Sequence, residues 1–269
     1  MTLFAAIVSV AAVAQTDVWV WKDGVAMKTT QADSITFAEP SFGDLYHDGS
    51  EAGYNYVDLG LTSSTKWATM NVGASKAQDY GNYYAWGEVT TKETYNWSTY
   101  LDGNIASSED CGTDKDALKG VINIAGTQYD VAKANWGGKW RMPTLAQQNE
   151  LINECYWVWT ESYNGSNVKG CIVYKAKNSS DKGQQIYKNG TPSSSYSLSD
   201  AHIFLPAAGY RSGGGLSNAG SNGDYWSSSL YTDYPYYAWS VHFYSDFVYD
   251  YYNVNRYDGR SVRAVCPGE

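Results

Sequence analysis

Ala238-Trp239-Ser240-Val241-His242-Phe243-Tyr244 is the stretch that decides how this chain folds. Trp239, Val241 and Phe243 alternate with Ser240, His242 and Tyr244. Period-two alternation makes a half-buried β-strand, because successive side chains point to opposite faces. Trp239, Val241 and Phe243 are expected in the core; Ser240, His242 and Tyr244 are expected in water. Nine of the 25 tyrosines lie between residues 231 and 257: Tyr231, Tyr234, Tyr236, Tyr237, Tyr244, Tyr249, Tyr251, Tyr252 and Tyr257. Tyrosine offers a large contact area for little rotamer entropy, so a tyrosine-rich wet face reads as a recognition surface on a rigid sheet. Aromatic cross-strand pairs that only stabilise the sheet account for some of the nine. Their density, and their interleaving with His, Asp and Asn, favour recognition.

The composition fits this reading. The chain is 43% hydrophobic, 16% aromatic and only 17% charged, with 26 Gly and 6 Pro, which points to many short strands and tight turns. A length of 269 residues suits one large domain with a small appendage. A net charge of −9 and a pI near 4.8 argue against binding nucleic acid or an anionic membrane through a basic patch. A sugar or a protein surface remains compatible. Residues 1–14 are apolar and end in Ala12-Val13-Ala14, which fits the cleavage site of an export signal. The segment is too short to span a bilayer, and no other apolar run is long enough to cross one. No Cys follows the site to carry a lipoprotein anchor. The four cysteines, Cys111, Cys155, Cys171 and Cys266, show no C-x-x-C and no zinc-site spacing. Buried small hydrophobes and one disulfide are both compatible with them.

Along the chain, residues 15–40 read as a small β module. Val18–Lys22 and Val25–Thr30 form strands around the turn signal Asp23-Gly24, and Ser34–Phe37 forms a third. Residues 41–53 read as a linker, and a main domain is expected over 54–269. Its strands are expected at 56–61, 66–70, 156–160, 171–175, 203–209 and 260–265. Residues 101–129 read as an irregular insertion, and 177–200 and 211–223 as loops. The clearest helix opens at Pro143-Thr144-Leu145 and runs to about Cys155, with Thr144 as N-cap and Gln147 completing a capping box. Leu145, Leu151 and Ile152 supply its apolar side.

Seven ordered motifs carry a resemblance. They are "YVDLGL" and "KWATMNVGA" at 56–74, "YGNYYAWGE" at 80–88, "ANWGGKWRMPT" at 134–144, "IFLPAAGYR" at 203–211, "GDYWSSS" at 223–229 and "GRSVRAV" at 259–265. Together they resemble the FISUMP-type major paralogous domain of secreted bacterial proteins, over roughly residues 54–266. The resemblance implies an α+β, C-type-lectin-like fold, similar to formylglycine-generating enzymes, preceded by a small β module. It also implies an exported protein, secreted or held at the cell surface of a bacterium. The stretch from about 225 to 263 looks like the variable region of a diversity-generating retroelement target protein. Such elements rewrite adenines, and an altered AAC codon yields Tyr, Asp, His, Ser, Phe or Thr. That set occupies Tyr231, Asp233, Tyr234, Tyr236, Tyr237, Ser240, His242, Tyr244, Phe247, Tyr249, Asp250, Tyr251, Tyr252, Tyr257 and Asp258, with Asn253 and Asn255 as unchanged seeds. These seventeen positions are the expected ligand-binding residues. Pro235, Ala238, Trp239, Val241, Phe243 and Arg256 would be the fixed frame. The expected partner is a protein or glycan on another cell or a phage.

No catalytic, metal or cofactor site is expected. His47, His202 and His242 are not spaced as a metal site. Ser227 to Ser229 lie in no G-x-S-x-G elbow, and Gly213-Gly214-Gly215 lacks the Lys-Ser/Thr of a phosphate loop. Arg141 reads as internally paired, with Pro143 starting the helix. Glu109 and Asp110 read as solvated. The Glu-Pro-Asn or Gln-Pro-Asp run of a calcium lectin is missing, and the reactive cysteine pair of a formylglycine-generating enzyme has no counterpart. A fixed-specificity carbohydrate-binding or adhesin domain is the first alternative, and an enzyme of the formylglycine-generating type the second.

Overall fold

The computed structural model describes residues 18–22, 25–29, 46–183, 185–186 and 195–268. The chain divides into two units, Met1–Ser41 and Phe42–Glu269. In the first, β1 (Val18–Lys22) and β2 (Val25–Thr29) pair antiparallel with Lys22 opposite Val25, the register expected of strands separated by Asp-Gly. The export signal at 1–14 and the third strand at 34–37 lie outside the described residues.

The second unit is an α+β fold of mostly short strands with a few short helices. In chain order it comprises β3 (Gly49–Glu51), β4 (Tyr54–Val57), β5 (Lys66–Asn71), α1 (Val131–Trp136), α2 (Leu145–Glu154), β6 (Cys155–Thr160), β7 (Gly170–Lys175) and β8 (Gln185–Ile186). There follow β9 (His202–Pro206), β10 (Tyr210–Ser212), β11 (Gly215–Ser217), β12 (Asn222–Leu230), β13 (Tyr237–Tyr244), β14 (Phe247–Asn255) and β15 (Arg263–Cys266). They form sheets ordered β15-β5-β4-β3, β8-β6-β7-β9, β12-β13-β14 and β10-β11. No helix among the described residues is long and apolar enough to cross a membrane.

Three expectations need correction. β3 lies in the expected linker, where Gly49 pairs with Tyr56 and the Glu51 carbonyl accepts from Trp140 Nε1 at 2.7 Å. The expected loop 211–223 contains the β10–β11 hairpin, turning at Gly213 with φ 57°. The expected loop 177–200 contributes β8, which runs parallel to β6; residues 184 and 187–194 lie outside the described set. The 101–129 insertion is irregular, but it packs: Ile105, Leu118 and Ile124 are buried.

α2 begins where local chemistry says it should. Thr144 Oγ1 accepts from the Gln147 N–H, and Gln147 Oε1 accepts from the Thr144 N–H, which satisfies two orphan donors. Its buried face is Gln148, Leu151 and Ile152, while Leu145 is half-buried. Gln148 is the part the apolar pattern missed: its Nε2 donates to the Tyr225 and Trp226 carbonyls, both at 3.1 Å, and ties the helix to β12. Arg141 is held through its backbone, which pairs with Val265 at 2.9 Å in both directions.

Two cores meet at the three-stranded sheet. The first gathers Leu151, Trp157, Val173, Leu205, Tyr225, Val241, Phe243 and Val248. The second gathers Trp86, Trp136, Trp140, Met142, Trp226, Ala238 and Ala264. In the second, Trp86 Nε1 donates to the Ser227 carbonyl at 3.0 Å and Trp226 Nε1 to the Tyr84 carbonyl at 2.8 Å. β15 is wholly buried, and Arg263 is satisfied there without a carboxylate: it donates to Asn71 Oδ1, the Ala68 carbonyl and the Phe204 carbonyl. Burial pushes its guanidinium down to about 10.

Candidate functional site: two aromatic clusters and a polar cleft

The pleat of β13 alternates as expected, but its burial does not. Val241 and Phe243 are 3% and 0% exposed, in the first core. Ser240, expected in water, is 0% exposed, whereas Trp239, expected in the core, is only half-buried. The cause is that the two cores lie on opposite faces. Ser240 pairs across the sheet with Trp226 of the second core, and Val241 pairs with Tyr225 of the first. Directly opposed residues share a face, so the strand is covered on one side in its first half and on the other in its second. Trp239 is not part of the first core and packs instead against Tyr231 and Tyr251. The small size of Ala238 and Ser240 was the signal that this half-face is crowded.

The window therefore presents two aromatic clusters instead of one wet face. The first joins Tyr231, Tyr234, Tyr236, Tyr237, Trp239 and Tyr251. Trp239 stands edge-on to Tyr231 at 4.7 Å and to Tyr251 at 5.7 Å, and Tyr236 lies 4.4 Å from Tyr237. The second joins His242, Tyr244, Phe247, Tyr249 and Tyr252. His242 stacks on Tyr252 at 4.5 Å, and Phe247 meets Tyr249 at 4.7 Å. A bulge in β14 arranges this. His242 pairs with Tyr249 and Ser240 with Tyr252, so Asp250 and Tyr251 together oppose Val241. The extra residue keeps Tyr249 and Tyr252 beside His242 and turns Tyr251 toward Trp239.

The other expected site residues scatter. Asp233 is exposed, and Asn253 and Asn255 are half-buried. Tyr257 is half-buried, edge-on to Trp97 at 4.8 Å. Asp258 is a correction: it is 6% exposed and faces the Arg260 guanidinium at 3.6 Å, so it belongs to the frame. Asp250 lies in β14, but its side chain is outside the described set.

Beside the second cluster opens a cleft of about 380 Å³, with Tyr210, Asn222, Asp224, His242, Tyr252, Asp258 and Arg260 in its wall. Asp224 is 1% exposed, and its Oδ1 takes both His242 Nδ1 at 2.9 Å and Arg260. Burial alone would raise the Asp224 carboxyl, but Arg260 and His242 hold it below the ordinary carboxylate range. For Asp258 burial wins over Arg260, and its carboxyl is raised. Sequence reasoning missed Asp224 and Arg260, although both sit in quoted motifs, "GDYW" and "GRSVR".

The turn before β13 is fastened from below. Arg256, 1% exposed, donates to both Asp116 oxygens at 2.8 and 3.1 Å, to Tyr100 Oη and to the Pro235 carbonyl. Its guanidinium lies over the Trp86 and Tyr100 rings. Arg256 was expected as frame; Asp116, in the insertion, carried no sequence signal. Glu109 is exposed, while Asp110 pairs with Lys115 at 2.7 Å. The four cysteines are buried and unbridged, and burial pushes each thiol up. Among the described residues, no group of three or more His, Cys, Asp or Glu side chains is placed to hold a metal ion.

A family model described as a domain of unknown function, DUF8237, matches residues 175–265. The matched stretch contains β9 to β14, and with them both clusters and the whole cleft wall. No curated protein and no solved structure gives a significant match.

Proposed function

We propose that this is an exported, non-catalytic recognition protein whose C-type-lectin-like domain presents the aromatic clusters around β13 and β14 to a macromolecular partner. One observation carries the reading. Of the six exposed large hydrophobic side chains among the described residues, four belong to these clusters: Tyr234 at 52%, Tyr251 at 61%, Phe247 at 43% and Tyr249 at 36%. Exposed aromatics concentrated on a rigid sheet mark interaction surfaces and lose little entropy on binding. Diversification by a retroelement is supported by how the positions divide. Tyr231, Asp233, Tyr234, Tyr236, Tyr237, His242, Tyr244, Phe247, Tyr249, Tyr251 and Tyr252 are all at least partly exposed, while Ala238, Val241, Phe243 and Arg256 are buried; Ser240 and Asp258 of the variable set, which are buried, and Pro235 and Trp239 of the frame, which are half-buried, run against it. The thiols favour a binding protein over a formylglycine-generating enzyme, since reactive cysteines need a lowered thiol pKa and these are raised.

The test uses the full chain and two double variants, Tyr234→Ser/Tyr251→Ser and Phe247→Ser/Tyr249→Ser. Each is immobilised and exposed to a panel of bacterial cells and phage particles. Wild type should capture at least one particle type, and at least one double variant should lose it while melting as wild type does. A wild type that captures nothing, or capture retained by both variants, would overturn the reading. For the retroelement part, the flanking DNA should hold a near-repeat that differs at adenines, with its differences mapping to the positions above.

A further inference from the structure

We infer that the cleft beside the second cluster is a subsite for one neutral sugar unit, with Asp224, Arg260, Asn222 and Tyr252 as its contacts. This rests on the recognition reading and names the ligand chemistry of part of that surface.

The first argument is an unmet hydrogen-bonding demand. Asp224 and Arg260 are 1% and 2% exposed, and both take part in the cleft wall. Asp224 Oδ2 and Arg260 Nε are buried and have no hydrogen-bond partner among the described residues. Buried polar atoms are rarely left unpaired, because each costs its full desolvation penalty. Both residues line the same cleft, and between them they leave one acceptor and one donor unanswered. A cation can only donate and an anion can only accept. A hydroxyl does both, so a vicinal diol can answer both atoms.

The charge balance points the same way. Arg260 touches Asp224 and faces Asp258 at 3.6 Å, so the one guanidinium of the wall is already engaged by two carboxylates. There is no free positive charge to hold a phosphate or sulfate. The rest of the wall suits a polyol. Asn218, Asn222, Asn253 and Asn255 contribute to it, and carboxamides both donate and accept, as hydroxyls do. Tyr252, held by stacking on His242 at 4.5 Å and 24°, brings its ring edge and hydroxyl to the wall, which suits contact with a sugar. The volume, about 380 Å³, falls at the low end of the ~300–1,000 Å³ of small-ligand sites. That suits a single ring of a longer glycan, whose remainder would run onto the aromatic clusters.

The experiment titrates the full chain, by saturation-transfer NMR and calorimetry, with D-glucose, D-galactose, D-mannose, L-fucose and N-acetylglucosamine. L-Arginine and inorganic sulfate serve as the charged probes. At least one sugar should bind saturably. Asn222→Ala and Tyr252→Ala should each weaken it about tenfold, and Tyr234→Ser/Tyr251→Ser should leave it unchanged. If either cleft variant melts early, Asn222→Asp and Tyr252→Leu replace it. No saturable sugar, sugar binding indifferent to every cleft variant, or tighter binding of arginine or sulfate than of any sugar would overturn the subsite. Absent sugar binding alongside particle capture that the aromatic variants abolish would refute the subsite alone. Cleft-dependent sugar binding with capture untouched by those variants would instead refute the aromatic surface.

Discussion

Phe243 and Trp239 stand four residues apart on one pleat face, and replacing each by alanine tests the two-core arrangement. Phe243 is 0% exposed and its ring meets Trp157 at 6.1 Å, Trp159 at 6.5 Å and Tyr225 at 5.9 Å. Phe243→Ala opens a cavity among rigid rings, and such changes cost about 3–5 kcal/mol. Trp239 is half-buried and makes two edge-on contacts, with Tyr231 and Tyr251. At ~0.5–1.5 kcal/mol per aromatic pair, Trp239→Ala should cost about 1–3 kcal/mol. Tryptophan is the larger side chain, so if both residues were core the order would reverse. Urea denaturation measures both free energies, and a domain of this size loses roughly 2–4 °C of Tm per kcal/mol. A Trp239→Ala variant as destabilised as Phe243→Ala, or more so, would show that one core covers the whole pleat face, and the account of Trp239 as a displayed ring would fall with it.

The remaining predictions concern buried polar positions. Ser240→Tyr, a change that the AAC codon set permits, forces a ring toward Trp226; it should cost at least the ~1–3 kcal/mol of overpacking, and an unchanged melt would place Ser240 in solvent. Asp116→Ala strands the Arg256 charge and should cost about 3–5 kcal/mol in urea denaturation; a cost under about 1 kcal/mol would mean that the pair is not buried. His202 is 2% exposed, bonded to Tyr163 Oη at 2.8 Å and the Asp200 carbonyl at 2.7 Å, and burial holds its imidazole below the ordinary range. The unfolded chain therefore takes up its proton first, so wild type should lose stability as pH falls below about 6.5, at up to ~1.4 kcal/mol per pH unit, and His202→Gln should flatten that slope; parallel curves would show that His202 does not titrate between the states.

What was legible in the sequence was local. The capping box at Thr144 and Gln147, the β6–β7 hairpin and the pleat of β13 each follow from residues within one turn or one strand of each other. What was not legible depends on which distant residues cover a face. Nothing near Ser240 announces Trp226, and Asp116 meets Arg256 across 140 positions of chain. β3 was hidden because Gly49-Ser50-Glu51 has linker composition and becomes a strand only by pairing with β4. Asp224 and Arg260 were in view as letters of two motifs, but their pairing joins β12 to the segment that follows β14.

The same distinction bears on how a diversified surface could work in this fold. A mutational process that acts on codons treats Ser240 and Tyr251 alike, but the protein does not. Tyr251 is 61% exposed and makes one edge-on ring contact, with Trp239, so it can vary at a cost of about 0.5–1.5 kcal/mol, whereas position 240 lies between β12 and β14 opposite Trp226. Folding would therefore edit such a library before any ligand could. Side chains larger than serine at 240 would be removed as unstable chains, while the exposed positions of the two clusters tolerate change. A set of natural or synthetic variants of this region should show that filter, with full chemical diversity at 234, 249 and 251 and only small residues at 240. Tyrosine recovered at 240 as often as at 251, among variants selected only for folding, would refute the burial on which the division between frame and display depends.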